Sequence, residues 1–281
     1  IVRKLNEMGH EVVSLDIIED REISKISKFY KVDVSDTCYN YKEIFSGVDS
    51  VHHNAALVPL TKAGNNFHKT NVIGTKNIIQ KSIENNVKHF SHMSSSAIFG
   101  KPLSNGNVDY NRYNPTGIYG ISKYRAELAV LEVFNDNIKK FSSCSIIRPR
   151  PVVGKGRLGI FEILFDWVID NKKIPIIGSG KNIFQFAHID DLVDVSIETA
   201  DRNISGVFNI GTDTYNTIKE DLNKSFEIIG SKSRVLPIPK FICVPSLFLL
   251  DKINLSPLSS WHYLSYSWEF HYALDETFKV L

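Results

Sequence analysis

Tyr119 and Lys123 stand four residues apart in the run Tyr-Gly-Ile-Ser-Lys, and three consecutive serines, Ser94-Ser95-Ser96, precede them. On a helix that spacing places the phenol and the ammonium on one face. An ammonium beside a phenol favours the phenolate and lowers its pKa from about 10. A shift of roughly three units corresponds to about 4 kcal/mol. It lets a tyrosine exchange a proton with an alcohol or ketone near neutral pH. A neighbouring serine hydroxyl can hold the same substrate oxygen. The spacing alone is equally that of a solvated helix surface, so the surrounding elements must decide.

Residues 87–93 form an apolar, strand-like stretch that ends at the serines, and residues 119–127 open a helical pattern. Strands are expected at 11–15, 28–32, 50–53, 88–93 and 142–147. Helices are expected at 1–8, 41–45, 67–85 and 118–135, and later at 159–171. Strands alternating with crossover helices predict a parallel sheet covered on both faces, an α/β fold. Ligands in such sheets lie at the carboxyl ends of the strands, where Asp16, Asp33, Ala55 and Ser95 fall. After Arg148 the composition shifts: Arg148-Pro149-Arg150-Pro151, Gly154-Lys155-Gly156 and Gly178-Ser179-Gly180 punctuate loops, and the chain is rich in proline and aromatics from Leu236. Residues 205–211 read as one more sheet strand. The expected organisation is a doubly wound parallel sheet over 1–148, to which segment 188–211 returns, and a smaller mixed substrate-binding lobe drawn mainly from 149–281.

Several further motifs fall in a fixed order: Val12-Val13-Ser14-Leu15-Asp16, Asp33-Val34-Ser35-Asp36, Val51-His52-His53-Asn54-Ala55-Ala56, Asn71-Val72-Ile73-Gly74-Thr75-Lys76-Asn77, Arg148-Pro149 and His188-Ile189-Asp190-Asp191. With Ser94 to Gly100 and Tyr119 to Lys123, this ordered set resembles the extended short-chain dehydrogenase/reductase superfamily in its NAD-dependent epimerase/dehydratase branch. The resemblance implies a Rossmann-type sheet and NAD as cofactor. It implies that Asp16 accepts the adenosine ribose hydroxyls, a carboxylate that would repel the 2′-phosphate of NADP. Asp33 and Val34 are expected on the adenine side; Asp33 also reads as a turn former. Ala55 and Ala56 would lie over the cofactor, and Asn71 would either support the active site or cap a helix. Tyr119 is the expected acid/base. Ser95, four residues before the aromatic Phe99, would polarise the substrate oxygen. Lys123 would tune Tyr119 and bond the nicotinamide ribose. Ser96, Arg150 and Arg157 are the further candidates for substrate binding, Ser96 also reading as a packing hydroxyl. Glu127 is expected as a structural partner on the same helix.

The implied activity is reversible hydride transfer at a secondary alcohol of a sugar nucleotide, as in UDP-glucose 4-epimerase, the nicotinamide carrying the hydride. Two departures bear on it. The branch's 4,6-dehydratases have an Asp-Glu pair directly after the catalytic serine, whereas here Ser96-Ala97 follow, which argues against sugar dehydration. An arginine that grips a nucleotide-sugar phosphate often stands four residues before the histidine of the His-Val-Asp-Asp motif. Here Phe184 takes that place. This opens an alternative of the 3β-hydroxysteroid dehydrogenase type, with Trp261, Tyr263, Tyr266, Trp268 and Phe270 as aromatic lining or as ordinary core. A non-catalytic NAD-binding scaffold is the remaining alternative.

A dinucleotide fold opens with a strand and a glycine-rich turn about 20 residues before the ribose acid. Counted back from Asp16, that turn would precede Ile1. The first ten residues read as the back half of the first helix, stopped at Gly9. The expectation is therefore an N-terminally truncated chain that binds NAD weakly by itself.

Net charge is +2 over 281 residues, and the lysines are scattered among carboxylates, which argues against nucleic acid and anionic membrane as partners. No run reaches the roughly 18 apolar residues of a membrane span. Cys38, Cys144 and Cys243 have no metal-ligand or redox spacing, and a sparse, odd count fits the cytoplasm. His52 and His53 are consecutive on a strand and face opposite sides, so no metal site is expected. The expected partner is a small-molecule substrate, with a homodimer as a further expectation.

Overall fold

The computed structural model describes residues 1–59, 63–103, 106, 108–156, 161–253, 255–256, 258 and 260–274. Its strands are β1 (Val13–Asp16), β2 (Lys28–Lys31), β3 (Ser50–His53), β4 (His89–Met93), β5 (Ser143–Pro149), β6 (Val152–Val153), β7 (Lys173–Ile177), β8 (Ala187–His188), β9 (Gly206–Ile210) and β10 (Arg234–Ile238). Every pairing between them is parallel. β3, β4, β5 and β9 form one ladder in that order, and β1 pairs with β2 in another. One apolar cluster joins both: Val13 and Leu15 of β1 and Tyr30 of β2 pack on the core containing Phe90, Cys144 and Ile146. All seven residues of β5 are buried, as a parallel strand covered on both faces requires. β9 extends the main ladder beside β5.

The helices are α1 (Val2–Glu7), α2 (Lys42–Phe45), α3 (Asn66–His68), α4 (Thr75–Glu84), α5 (Gly117–Asp136), α6 (Phe161–Ile169), α7 (Ile189–Asp201), α8 (Ile218–Ile229), α9 (Lys240–Lys252) and α10 (Ser260–Ser265). The helix expected at 67–85 is interrupted: a π-helical segment, Lys69–Gly74, joins α3 to α4. The interruption lies where the helix meets the loop after β2. A Cβ on Gly74 would come within 2.8 Å of Val34 Cγ2, so only glycine permits this approach. The His188-Ile189-Asp190-Asp191 motif is a helix start, with His188 Nδ1 accepting from Asp190 N at 3.3 Å and both aspartates in the first turn of α7, where the helix dipole favours them.

A second group of elements packs around its own apolar cluster. Val168 of α6, Ile174 and Ile176 of β7, and Ile218, Leu222 and Phe226 of α8 are buried together, beside the β7–β10 pair. The short β6–β8 pair follows directly from β5. No described helix is long and apolar enough to cross a membrane.

Candidate active site

The serine run lies at the carboxyl end of β4, and three contacts fix α5 against it. Lys123 Nζ donates to the Met93 carbonyl at 2.7 Å. Gly120 lies so close to the following turn that a Cβ would sit 2.7 Å from the Ala97 carbonyl oxygen. Ser94 Oγ donates to Glu127. Residues 120, 123 and 127 of one helix stripe thus read against residues 97, 93 and 94 at the end of β4 and in the turn after it. Tyr119, beside Gly120, is carried to the serine run by the same packing. It is partly exposed, with its ring edge-on to Phe67 at 6.3 Å. Ser95 is the partly exposed member of the serine run; its hydroxyl accepts from Ala97 N at 3.2 Å and caps the short turn Ser96–Ile98.

Lys123 is 4% exposed. Burial pulls its pKa down to about 8, against a raising influence from Glu127. The carboxylate of Glu127 is itself committed to Arg148, which grips it through Nη2 at 2.6 Å and Nε at 3.0 Å. Burial opposes the charge on Arg148, but Glu127 and the Tyr113 hydroxyl hold its pKa above the usual value. Glu127 therefore braces the β5 end to α5, the structural partnership expected of it.

Asn71 is the residue for which the fold does most. Its carboxamide accepts from Leu57 N at 2.8 Å and donates to Leu57 O at 3.1 Å and to Ser122 Oγ at 2.9 Å. Ser122 in turn donates to the Tyr119 carbonyl at 2.8 Å. One buried side chain ties the loop after β3 to the second turn of α5. The helix-cap reading of Asn71 gives way to this, because its amide lies inside the π-helical segment and bonds to other elements. Ser122 was not marked by sequence beyond its place in the Tyr-Gly-Ile-Ser-Lys run; only the tertiary approach of the π segment reveals its use.

The expected cofactor positions form a row along the same strand ends. Asp16, the last residue of β1, is exposed, and its Oδ1 accepts from Ile18 N at 3.1 Å. Asp33 Oδ1 accepts from Ser35 N at 2.9 Å and from Ser35 Oγ at 2.6 Å, the turn-forming arrangement. These bonds, more than Lys69 at 3.5 Å, hold its carboxyl below the usual range. Val34 is buried under Gly74. Ala55 and Ala56 are partly buried in the loop pinned by Asn71. An exposed carboxylate, a loop of bare methyl side chains and an ammonium are suited to a ribose, a flat surface and a second ribose of a dinucleotide. Ser96 is buried and accepts from Arg150 Nη1 at 3.3 Å. Arg157 lies outside the described residues. Among the described residues no group of histidine, cysteine and carboxylate side chains could hold a metal.

With this geometry in place the comparisons give the class. The model of the NAD dependent epimerase/dehydratase family matches residues 1–211, and the chain belongs to that family. The uncharacterized protein y4nG of Sinorhizobium fredii is 34% identical over 240 residues, which are 85% of this chain and 60% of that protein. The mouse sterol-4-alpha-carboxylate 3-dehydrogenase, decarboxylating, is 28% identical over 208 residues, 72% of this chain and 56% of the enzyme. The chain thus spans less than two thirds of either relative. The crystal structure of UDP-glucose 4-epimerase with UDP-glucose from Thermotoga maritima matches with a TM-score of 0.72 at 25% identity, covering 85% of this chain and 81% of that one.

Proposed function

We propose that this protein oxidises a secondary alcohol of a nucleotide sugar by reversible, NAD-dependent hydride transfer, as a 4-epimerase or dehydrogenase. The observation that carries the reading is the seating of Tyr119, Lys123 and Ser95 at the end of β4 by the contacts to Ala97 and Met93. When bound, NAD supplies the hydride acceptor. Tyr119 takes the alcohol proton as hydride leaves the carbinol carbon and returns it on reduction. Ser95 holds the alcohol oxygen. Lys123, fixed by Met93, places a positive charge on the Tyr119 face of α5 and favours the phenolate. Asp16 and Asp33 with Val34 hold the adenosine half, and Ala55, Ala56 and Asn71 shape the floor. Residues 1–148 with 188–211 form the cofactor half and the rest of 149–281 mainly the substrate lobe. The protein acts in the cytoplasm, as a homodimer.

A second reading, oxidation of a hydroxysteroid, is favoured by the sterol dehydrogenase among the relatives. A cavity of about 330 Å³ is lined by Phe184, Phe186 and Tyr215 together with the polar Thr212, Asn216, Asp221 and Lys224. Turnover of UDP-glucose and of a 3β-hydroxysteroid by the full-length protein, each with NAD and NADP, separates the two. The expected result is turnover of the nucleotide sugar, with NAD preferred over NADP by about tenfold or more, about 1.4 kcal/mol, because the Asp16 carboxylate repels a 2′-phosphate. Asp16→Ala narrows the gap mainly by weakening NAD. Steroid turnover alone would favour the second reading, and an NADP preference would remove Asp16 from the ribose site.

A further inference from the structure

None of the 13 residues of α9 is buried, although most of them are apolar. Cys243, Val244, Leu247 and Asp251 fall on the side turned to the fold and are partly covered. Asp251 accepts there from the Tyr263 hydroxyl at 3.4 Å. The opposite side carries Phe241, Ile242, Phe248, Leu249 and, at the C-cap, Ile253. These five are between 48% and 78% exposed. They recur one and two turns apart, so they form one stripe along the helix. A single exposed apolar side chain is ordinary; a contiguous stripe of large ones marks a surface that something covers.

The charges around this stripe are mostly of one sign. Residues 230–262 carry Lys232, Arg234, Lys240 and Lys252 against Asp251 alone, and all four cations are exposed. Lys240 opens α9 and Lys252 closes it. The Lys252 ammonium lies 4.8 Å from the Phe248 ring centroid, at the border of the stripe. Lys240 also lines a groove of about 970 Å³, where Lys101, Arg112 and Lys181 join it against Asp109 and Glu269. The near-neutral balance of the whole chain thus conceals a local cationic surface beside an apolar one.

We infer that α9 docks on the surface of a bilayer containing anionic lipid, with its axis in the membrane plane. A helix of 13 residues is about 20 Å long, short of the roughly 30 Å of the hydrocarbon layer. It therefore lies in the interface, and an apolar face bordered by lysines is the form such a helix takes. Phe241, Ile242, Phe248, Leu249 and Ile253 enter the boundary between headgroups and acyl chains. Lys240 and Lys252 keep their ammonium groups at the phosphates, and the adjoining groove receives an anionic headgroup. A second copy of the chain suits the stripe less well. A face of this length on a cylinder about 10 Å across offers roughly a few hundred Å², against about 800 Å² per partner in a stable complex. Two such faces would also bring lysines together with no carboxylate in the stripe to meet them.

The test is co-sedimentation of the full-length protein with sucrose-loaded vesicles, made of phosphatidylcholine alone or with about one third phosphatidylglycerol. The partition coefficient is expected to be about tenfold or more higher on the anionic vesicles and to fall as salt is raised. Phe241→Gln combined with Phe248→Gln is expected to lower it by about tenfold or more on both kinds of vesicle. Tm should hold, because neither ring is buried. Lys240→Gln combined with Lys252→Gln is expected to weaken binding to the anionic vesicles by about tenfold and to leave binding to phosphatidylcholine in place. Absence of the unmutated protein from the anionic vesicle pellet would overturn the inference, as would binding that the phenylalanine pair does not change. A dimer in gel filtration that the phenylalanine pair dissolves, without vesicle binding, would overturn it and assign the stripe to a second copy.

Discussion

Tyr119→Phe is expected to lower kcat by about 10²- to 10⁴-fold, the range by which a positioned acid/base accelerates proton transfer, with NAD affinity unchanged. The substitution is clean because the ring stays. Its edge contact with Phe67 at 6.3 Å is one a phenylalanine also makes, and the start of α5 is held independently by Gly120 against Ala97 and by Ser122 bonding the Tyr119 carbonyl. Only the hydroxyl is lost, so turnover should collapse while the ring packing stays. If kcat stays within a few fold, the proton passes elsewhere and Tyr119 is a packing residue.

The second large effect is on stability at acid pH. Three histidines of the paired strands β3 and β4, His53, His89 and His92, are buried, and His52 is half-buried with both ring nitrogens out of solvent. Burial lowers the pKa of His52 to about 4, of His53 to about 3 and of His89 to about 4, and that of His92 well below its usual value. Lys123 adds its charge against His53 and His92. In the unfolded chain these rings titrate near 6.5. Their folded pKa values are lower, so between about pH 6.5 and 4 the unfolded chain binds more protons and stability falls as pH falls. Each histidine contributes up to about 1.4 kcal/mol per pH unit in that window. Four together approach roughly 5 kcal/mol per unit, against a whole stability of about 5–15 kcal/mol. The carboxyl of Asp33, with its lowered pKa, is lost only below its ordinary range and leaves this window to the histidines. Urea midpoints measured from pH 7.5 to 4.5 should stay level at first and drop steeply below about pH 6. A profile flat to pH 4.5 would mean that these rings reach solvent.

The histidines also show where sequence reading stops. Alternation along β3 places His52 and His53 on opposite faces, His53 buried and His52 half-buried. A parallel strand covered on both faces has no fully wet side: His53 stacks on His92 at 5.8 Å, and both ring nitrogens of His52 are shielded from solvent. Tyr119 and Lys123 were legible because helical periodicity is local. The parallel alternation of elements, the end-of-strand placement of Asp16, Asp33 and Ser95, and the strand β9 were legible for the same reason: each rests on short-range pattern. Asn71 and Ser122 were not, because their partners lie 51 residues apart and meet only through the π-helical turn over Val34. Arg150 carried the same weight in sequence as Arg157. Only tertiary packing distinguishes an arginine matched by a carboxylate, Arg148, from one packed on Phe270 with no counter-charge among the described residues.

The central claim is that hydrogen leaves the substrate carbon as hydride while Tyr119 handles only the hydroxyl proton. The most direct measurement follows deuterium placed on the carbinol carbon of the nucleotide sugar during turnover by the full-length protein with NAD. The expected result is a primary isotope effect on kcat/KM and a label that stays with the substrate and cofactor, none of it appearing in water. Wash-out of the label into solvent would show proton abstraction from carbon and would contradict hydride transfer.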